Sequence, residues 1–412
     1  LRQLFLLLVA GILTFTACVN NRQQKVQKGL LESGKYELAF AVDSVFVPIE
    51  LNIDAEGRWT IVNWTERIQL DSMQWTDSTF LAKLPFYNTT LSGRVVNATS
   101  FEGSWTDHTR AEHYEIPVKG LKKDLPDYPK NSQPEKLMFD VLFSPNDPPA
   151  HDLAIGMFYR YDTLLYGTFL TRSGDHRFLQ GRFNEVDSTM MLSAFDGAHL
   201  FHYTATLHGD SIYGDFFSGK HYRTDWNGHR NALAKLNHPD SIIGLIDPTA
   251  EFRFKVRNEN GDSVLFDREA LKGKVTVVQV AGSWCSNCMD ETRFFKELYE
   301  DYGNQGLQFI PVHFERAEDF EEARKLVKRQ HEELHLPFPS YFGGPAGKGY
   351  ASKVFSNLEK ITAYPTAIFI DKKGDVRKIH SGFYGPSTGD YYHIYATELE
   401  SFVQLLLSEP PE

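Results

Sequence analysis

The sequence predicts a duplicated all-β region, closed as a barrel or packed as a sandwich, followed by an α/β domain in the last third of the chain. Three observations carry this reading. Residues 35–120 and 138–232 alternate apolar and polar side chains, with many aromatic and β-branched residues between turn signals. The two stretches echo one another at an offset of about 110 residues. From residue 247 onward the pattern changes to apolar strands interleaved with amphipathic helical segments. A chain of 412 residues has room for several such domains. Its 42 % hydrophobic and 24 % charged content is ordinary for a folded protein. The formal net charge of -11, with no long basic stripe, argues against a nucleic-acid partner.

The N-terminal segment reads as targeting. Arg2 precedes an almost wholly apolar run over residues 4–15, and Thr16-Ala17 leads into Cys18. The run falls short of the roughly 20 residues a membrane span needs. Phe15-Thr16-Ala17-Cys18 resembles the lipobox of bacterial lipoproteins, with Phe15 where a branched aliphatic residue is usual. That resemblance implies lipidation at Cys18, with residues 1–18 as signal and lipobox and 19–34 as a linker. An ordinary cleaved signal with an incidental Cys18 is the alternative. Either way the chain is expected outside the cytoplasm.

In the β-rich region, Tyr36-Glu37-Leu38-Ala39-Phe40 and Trp59-Thr60-Ile61-Val62 are typical strand sequences. Asp77-Ser78-Thr79 recurs as Asp187-Ser188-Thr189, and Ser100-Phe101-Glu102-Gly103-Ser104-Trp105 as Ser211-Ile212-Tyr213-Gly214-Asp215-Phe216. Residues 121–137 and 233–246 read as linkers. No chemistry stands out here. His151, His199, His202, His208, His221 and His229 lack metal-ligand spacing and read as surface or packing residues. Trp59, Trp64, Trp75, Trp105 and Trp226 either line a ligand cavity or fill the core. Three Asn-x-Ser/Thr sequences, at Asn63, Asn88 and Asn97, read as chance in an exported bacterial protein.

The C-terminal part begins with a hairpin, 252–256 and 263–266, around Asn258-Glu259-Asn260-Gly261. A helical turn at 267–271 ends at Gly273. The apolar run 275–281 suits a central strand covered on both faces. Gly282-Ser283-Trp284-Cys285-Ser286-Asn287-Cys288 follows, then a helical stretch at 289–302, a strand at 306–314 and a helix at 317–331. After an insert, Ala363-Tyr364-Pro365-Thr366 precedes a strand at 367–370, another lies at 376–380, and a last helix covers 390–407.

A Cys-x-x-Cys pair at the first strand–helix junction and a proline before a later strand, in this order, resemble the TlpA/ResA-like branch of the thioredoxin superfamily. The likeness covers roughly residues 247–409 of the 247–412 domain. The predicted fold is therefore a thioredoxin-like α/β domain behind the duplicated β region. The resemblance implies a periplasmic thiol–disulfide oxidoreductase, lipid-anchored to an envelope membrane. It implies work in the reducing direction on exported proteins or cytochrome c precursors, recharged by a membrane electron donor.

The chemistry fits these residue types. A thiolate, not a thiol, attacks a disulfide. Cys285 is expected at the start of the following helix, where unpaired N–H groups and the helix dipole favour negative charge, and so serves as nucleophile. Cys288, one turn inward, resolves the mixed disulfide. Glu291 lies at i+3 from Cys288, on the same helix face. By resemblance it is the active-site acid; the bland reading is a first-turn carboxylate. Gln279 stands where thioredoxin itself carries a buried aspartate, and it cannot ionise. By resemblance Pro365 is cis and, with Tyr364 and Trp284, borders the client-binding surface. A trans loop proline and a core tryptophan are the alternatives.

Other uses of the cysteine pair fit poorly. Zinc needs further ligands, and Cys18, Cys285 and Cys288 are the only three cysteines. Haem attachment needs histidine after the second cysteine, where Met289 stands. No metal or organic cofactor is expected. The competing function is an envelope binding protein, whose β region captures a ligand or partner and whose thioredoxin fold serves as a docking module.

Overall fold

The structure, a computed structural model, describes residues 30–410 apart from 71, 111–112 and 128–132. Cys18 and the targeting segment lie outside the described residues.

The first nine strands are β1 (Gly34–Val42), β2 (Val45–Ile53), β3 (Trp59–Asn63), β4 (Glu66–Leu70), β5 (Ser72–Thr76), β6 (Thr79–Lys83), β7 (Thr89–Asn97), β8 (Ser100–Asp107) and β9 (Tyr114–Lys122). They form one antiparallel sheet in the order β4-β3-β2-β1-β9-β8-β7-β6-β5. The next nine are β10 (Glu135–Phe143), β11 (Asp152–Tyr161), β12 (Leu164–Thr171), β13 (Gly174–Asp175), β14 (Leu179–Asn184), β15 (Thr189–Phe195), β16 (Leu200–His208), β17 (Ser211–Ser218) and β18 (Tyr222–Arg230). Their pairings run β13-β12-β11-β10-β18-β17-β16-β15-β14, the first order shifted by nine. The sequence echoes fall on matching strands: Ser100 and Ser211 open β8 and β17, while Thr79 and Thr189 open β6 and β15. Asp77 and Ser188, in the preceding turns, both take positive φ. The two units differ in closure. β14 pairs with β12 and closes the second into a barrel, whereas β4 and β5 end the first sheet.

Alternation decides which face is buried. Along β1, Tyr36, Leu38, Phe40 and Val42 are fully buried while their neighbours are partly exposed. Trp59 and Trp105 fill the first core, and Trp226 the second, each 1 % exposed. These three tryptophans are packing residues. Trp64 stacks on Tyr166 of β12 at 3.7 Å, joining the units. The β3–β4 turn docks on the second barrel: Asn63 exchanges hydrogen bonds of 3.0 Å with the backbone N–H and C=O of Phe195. Asn63 is fully buried, which rules out glycan attachment in the folded chain. His199, His202 and His221 are paired within this region, with Asp196, Ser193 and Tyr114 respectively.

The C-terminal part holds β19 (Phe254–Arg257), β20 (Ser263–Phe266), β21 (Val275–Ala281), β22 (Leu307–Glu315), β23 (Tyr341–Pro345), β24 (Thr366–Ile370) and β25 (Val376–Ser381). Its helices are α1 (Arg268–Leu271), α2 (Ser286–Tyr302), α3 (Phe320–Leu334), α4 (Lys348–Val354) and α5 (Asp390–Ser408). The sheet order is β20-β19-β23-β22-β21-β24-β25, with β21 parallel to β22 and antiparallel to β24. This is an α/β thioredoxin-like domain. β21 is buried along its whole length, as expected of a near-continuous apolar run, and Thr276 and Gln279 are buried with it. Burying each of its valines contributes about 1.5–3 kcal/mol. The sequence reading overlooked β23 and α4, which lie in the insert. α2 begins at Ser286, three residues before the helical stretch expected at 289–302 and directly after Cys285, where the helix start was expected to lie.

Candidate redox site

β21 delivers the chain to the first turn of α2, and the cysteine pair stands at that junction. Cys285 is the N-cap residue of α2, with extended φ and ψ of -103° and 110°. Its sulfur accepts the backbone N–H of Cys288 at 3.2 Å. This N–H is one of the donors that a helix start leaves without an intrahelical acceptor. The two cysteines are joined as a disulfide, with Cα atoms 5.2 Å apart. Cys285 is 7 % exposed and Cys288 2 %. Near the motif, Tyr364-Pro365 is a cis peptide bond at the start of β24.

Trp284 is half-buried. Its indole N–H donates to the Phe314 carbonyl at 2.9 Å, and its ring meets that of Tyr364 at 5.3 Å. The Arg316 guanidinium sits 4.2 Å from the Trp284 ring centre, a cation–π distance. Tyr364 is held by its hydroxyl, which donates to the Gly347 carbonyl at 3.1 Å. Beneath Trp284, the buried Glu315 carboxylate accepts the Ser283 N–H at 2.7 Å and the Ser283 hydroxyl at 2.6 Å.

Glu291 is fully buried beneath the pair, one helical turn beyond Cys288. Gln279 of β21 donates its amide to Glu291 Oε2 at 2.7 Å and to the Cys288 carbonyl at 3.1 Å. Tyr395 of α5 donates to Glu291 Oε1 at 3.3 Å. Burial pushes the Glu291 carboxyl up to about 8, against the downward pull of these two neutral donors. The group is therefore a neutral acid at pH 7 that ionises just above it, the range in which a carboxyl is useful for moving protons. Gln279, which cannot ionise, orients this acid. Thr292 fixes the Gln279 amide by donating to its oxygen at 2.9 Å.

Sequence reasoning did not find the contribution of the β region to this site. Asn287, between the cysteines, donates its side-chain N–H to the Asp175 carbonyl at 3.1 Å. Arg177, 2 % exposed, pairs with Asp290 of α2, with Glu66 of the first unit at 2.5 Å and with Asp196 at 3.6 Å. The carboxylates hold this guanidinium charged although burial alone would lower its pKa. Asp196 is likewise kept at about 2: burial raises it, but His199 and Arg177 lower it further. Only the polar run Asp175-His176-Arg177, where an apolar strand residue would be ordinary, hinted at such a contact in the sequence.

A family description, Redoxin, matches residues 247–391. A thiol–disulfide oxidoreductase ResA of Oceanobacillus iheyensis is 25 % identical over 150 residues, which cover 36 % of this chain and 71 % of the relative. The C-terminal domain joins a thioredoxin-like fold to the Cys285–Cys288 disulfide, the pair of a thiol–disulfide oxidoreductase, and is similar in sequence to ResA. The thioredoxin-like protein YneN of Bacillus subtilis is 27 % identical to the chain over 160 residues, 39 % of this chain and 82 % of that protein. A crystal structure of a putative thiol:disulfide interchange protein DsbE from Chlorobium tepidum superposes with a TM-score of 0.30 at 19 % identity, covering 40 % of this chain and 99 % of that one. Among the described residues of the oxidoreductase and its β region, no group of three or more His, Cys, Asp or Glu is placed to hold a metal ion. No described helix is long and apolar enough to cross a membrane.

Proposed function

We propose that the chain reduces disulfides of proteins exported across the cytoplasmic membrane, cytochrome c precursors among them, through a dithiol/disulfide cycle of Cys285 and Cys288. The observation that carries this reading is the Cys285 sulfur at the N-terminus of α2, in hydrogen-bond contact with the Cys288 N–H. That N–H and the helix dipole favour a thiolate at Cys285 over one at Cys288.

In the reduced enzyme the Cys285 thiolate attacks one sulfur of the client disulfide. The new bond is a mixed disulfide, and the departing client thiolate takes up a proton. Cys288 then loses its proton and attacks Cys285, which releases the second client thiolate. Two electrons pass to the client, and the enzyme is left with the Cys285–Cys288 disulfide. Glu291, once ionised, accepts the Cys288 proton, and Gln279 and Tyr395 hold it in place. Trp284, Tyr364 and Pro365 border the surface on which the client chain lies. A membrane electron donor restores the dithiol. Lipidation at Cys18 would hold the enzyme at the periplasmic face of an envelope membrane; the lipobox-like Phe15-Thr16-Ala17-Cys18 supports that placement.

The reducing direction is tested by equilibrating the protein with glutathione redox buffers. A reductase is expected to have a potential below about -150 mV, since strong oxidants lie near -120 mV and thioredoxin near -270 mV. A value above that limit would overturn the reductase reading and leave an oxidase.

A further inference from the structure

One flank of the cysteine pair is occupied by the second barrel. The turn after β12, Arg172-Ser173, and the two residues of β13 lie on it. Gly174 forms a parallel bridge with Phe383, in the loop after β25. It sits so close that a Cβ there would stand 2.7 Å from the Phe383 carbonyl oxygen and clash with the Asn287 amide as well. With φ +133°, this position suits only glycine. Gly382, whose N–H donates to the Pro365 carbonyl at 2.9 Å, is covered by Arg172: a Cβ on Gly382 would lie 2.5 Å from the Arg172 carbonyl oxygen. The turn thus touches both the residue preceding Cys288 and the residue bonded to the cis-proline.

The turn is also anchored. The Asp175 carboxylate, fully buried, accepts the Gly385 N–H at 2.8 Å and the Ser387 hydroxyl. Its carbonyl accepts from Asn287. Two residues on, Arg177 fastens the same segment to Asp290 of α2. A free loop would not carry so many buried polar contacts, each costly to break once desolvated.

We propose that residues 172–175 are the specificity element of the redox site. They close the flank between Asn287 and Gly382, so clients reach Cys285 along the remaining rim, where Trp284 faces residues 86–89 and His199 of the β region across a narrow cleft. A disulfide on a terminal or extended segment fits that approach. One set in the face of a folded domain brings bulk against the turn. The β-rich region thereby acts as a client filter built into the active site. This inference rests on the thiol–disulfide exchange proposed above.

The test compares kcat/KM for glutathione disulfide with kcat/KM for native insulin, with dithiothreitol re-reducing the Cys285–Cys288 disulfide and its uncatalysed rate subtracted, in the full chain and two variants. Gly174→Ala wedges the turn away from Asn287. Ser387→Ala deletes one hydroxyl that anchors Asp175 and leaves the backbone untouched, so it reports even if the wedge variant fails to fold. The insulin-to-glutathione ratio is expected to rise by roughly fivefold or more, carried by a lower KM for insulin, because a steric exclusion is relieved. An unchanged or falling ratio in Ser387→Ala would overturn the filter. If the unaltered chain turned over neither disulfide, the exchange reading beneath it would fail instead.

Discussion

Replacing Glu291 with glutamine is expected to remove a pH-dependent loss of stability of about 5 kcal/mol, spread between pH 4.5 and about 8. The sign follows from proton counts. Burial raises the folded-state pKa from 4.5 to about 8. Between these values the folded chain keeps a proton that the unfolded chain has released. The folded state is therefore favoured less as pH rises through this window, and the trend ends above pH 8. Glutamine matches the shape and does not titrate: its one oxygen accepts from Gln279, and its amide N–H2 faces the Tyr395 hydroxyl, which turns from donating to accepting. Urea unfolding of the oxidised protein at pH 5, 7 and 9 checks this: the unaltered chain should lose stability along the series relative to Glu291→Gln. Parallel profiles would show that the carboxyl is not buried as a neutral acid. The same variant should slow resolution of the mixed disulfide by about 100-fold, the scale on which a positioned proton acceptor contributes. A mixed-disulfide intermediate that decays at the unaltered rate would remove Glu291 from the proton path.

Arg177→Met is expected to cost about 3–5 kcal/mol, because it leaves buried carboxylates without their shared cation. Glu66 comes from the first unit, Asp196 from the second and Asp290 from α2, so one guanidinium joins all three parts of the chain. The variant should unfold at lower denaturant, and trypsin should separate the β region from the oxidoreductase domain more readily. Asp290→Asn made in the Arg177→Met background should recover part of the loss, since it removes one of the stranded charges. Arg293 pairs with Asp290 at 2.8 Å but is more than a third exposed, so it does not replace the lost cation. Strictly additive effects of the two substitutions would show that Arg177 does not act through Asp290.

What could be read from the sequence follows from how local the determining interactions are. The strand 275–281 was legible to the residue, because a β-branched apolar run interrupted only by Thr276 and Gln279, and bounded by glycines, admits few alternatives. The cysteine pair stood out by its spacing and Glu291 by its place on the same helix face, while Pro365 and the role of Glu291 came from the family resemblance. The duplication was visible in two short echoes, and the matching strand order shows why they persisted: both mark equivalent turns and strands. β23 escaped because Tyr341-Phe342-Gly343-Gly344-Pro345 carries turn residues, although it lies inside the sheet between β19 and β22. The Arg177 cluster escaped for a different reason. Its members stand at positions 66, 177, 196 and 290, and no periodicity links residues so far apart. Tyr395 joins Glu291 across 104 residues in the same way. The β region looked free of chemistry because its part in the site is made of backbone and buried polar contacts.

The central claim is the division of labour between Cys285 and Cys288, and trapping tests it most directly. Reduced Cys288→Ser and reduced Cys285→Ser are each mixed with a disulfide-bonded client and quenched with acid. The products are then resolved on non-reducing gels and by mass. Cys288→Ser is expected to hold the client covalently through Cys285, because nothing resolves the mixed disulfide, whereas Cys285→Ser should hold none and show no exchange. Trapping through Cys288 in the Cys285→Ser protein, or undiminished exchange without Cys285, would contradict the account.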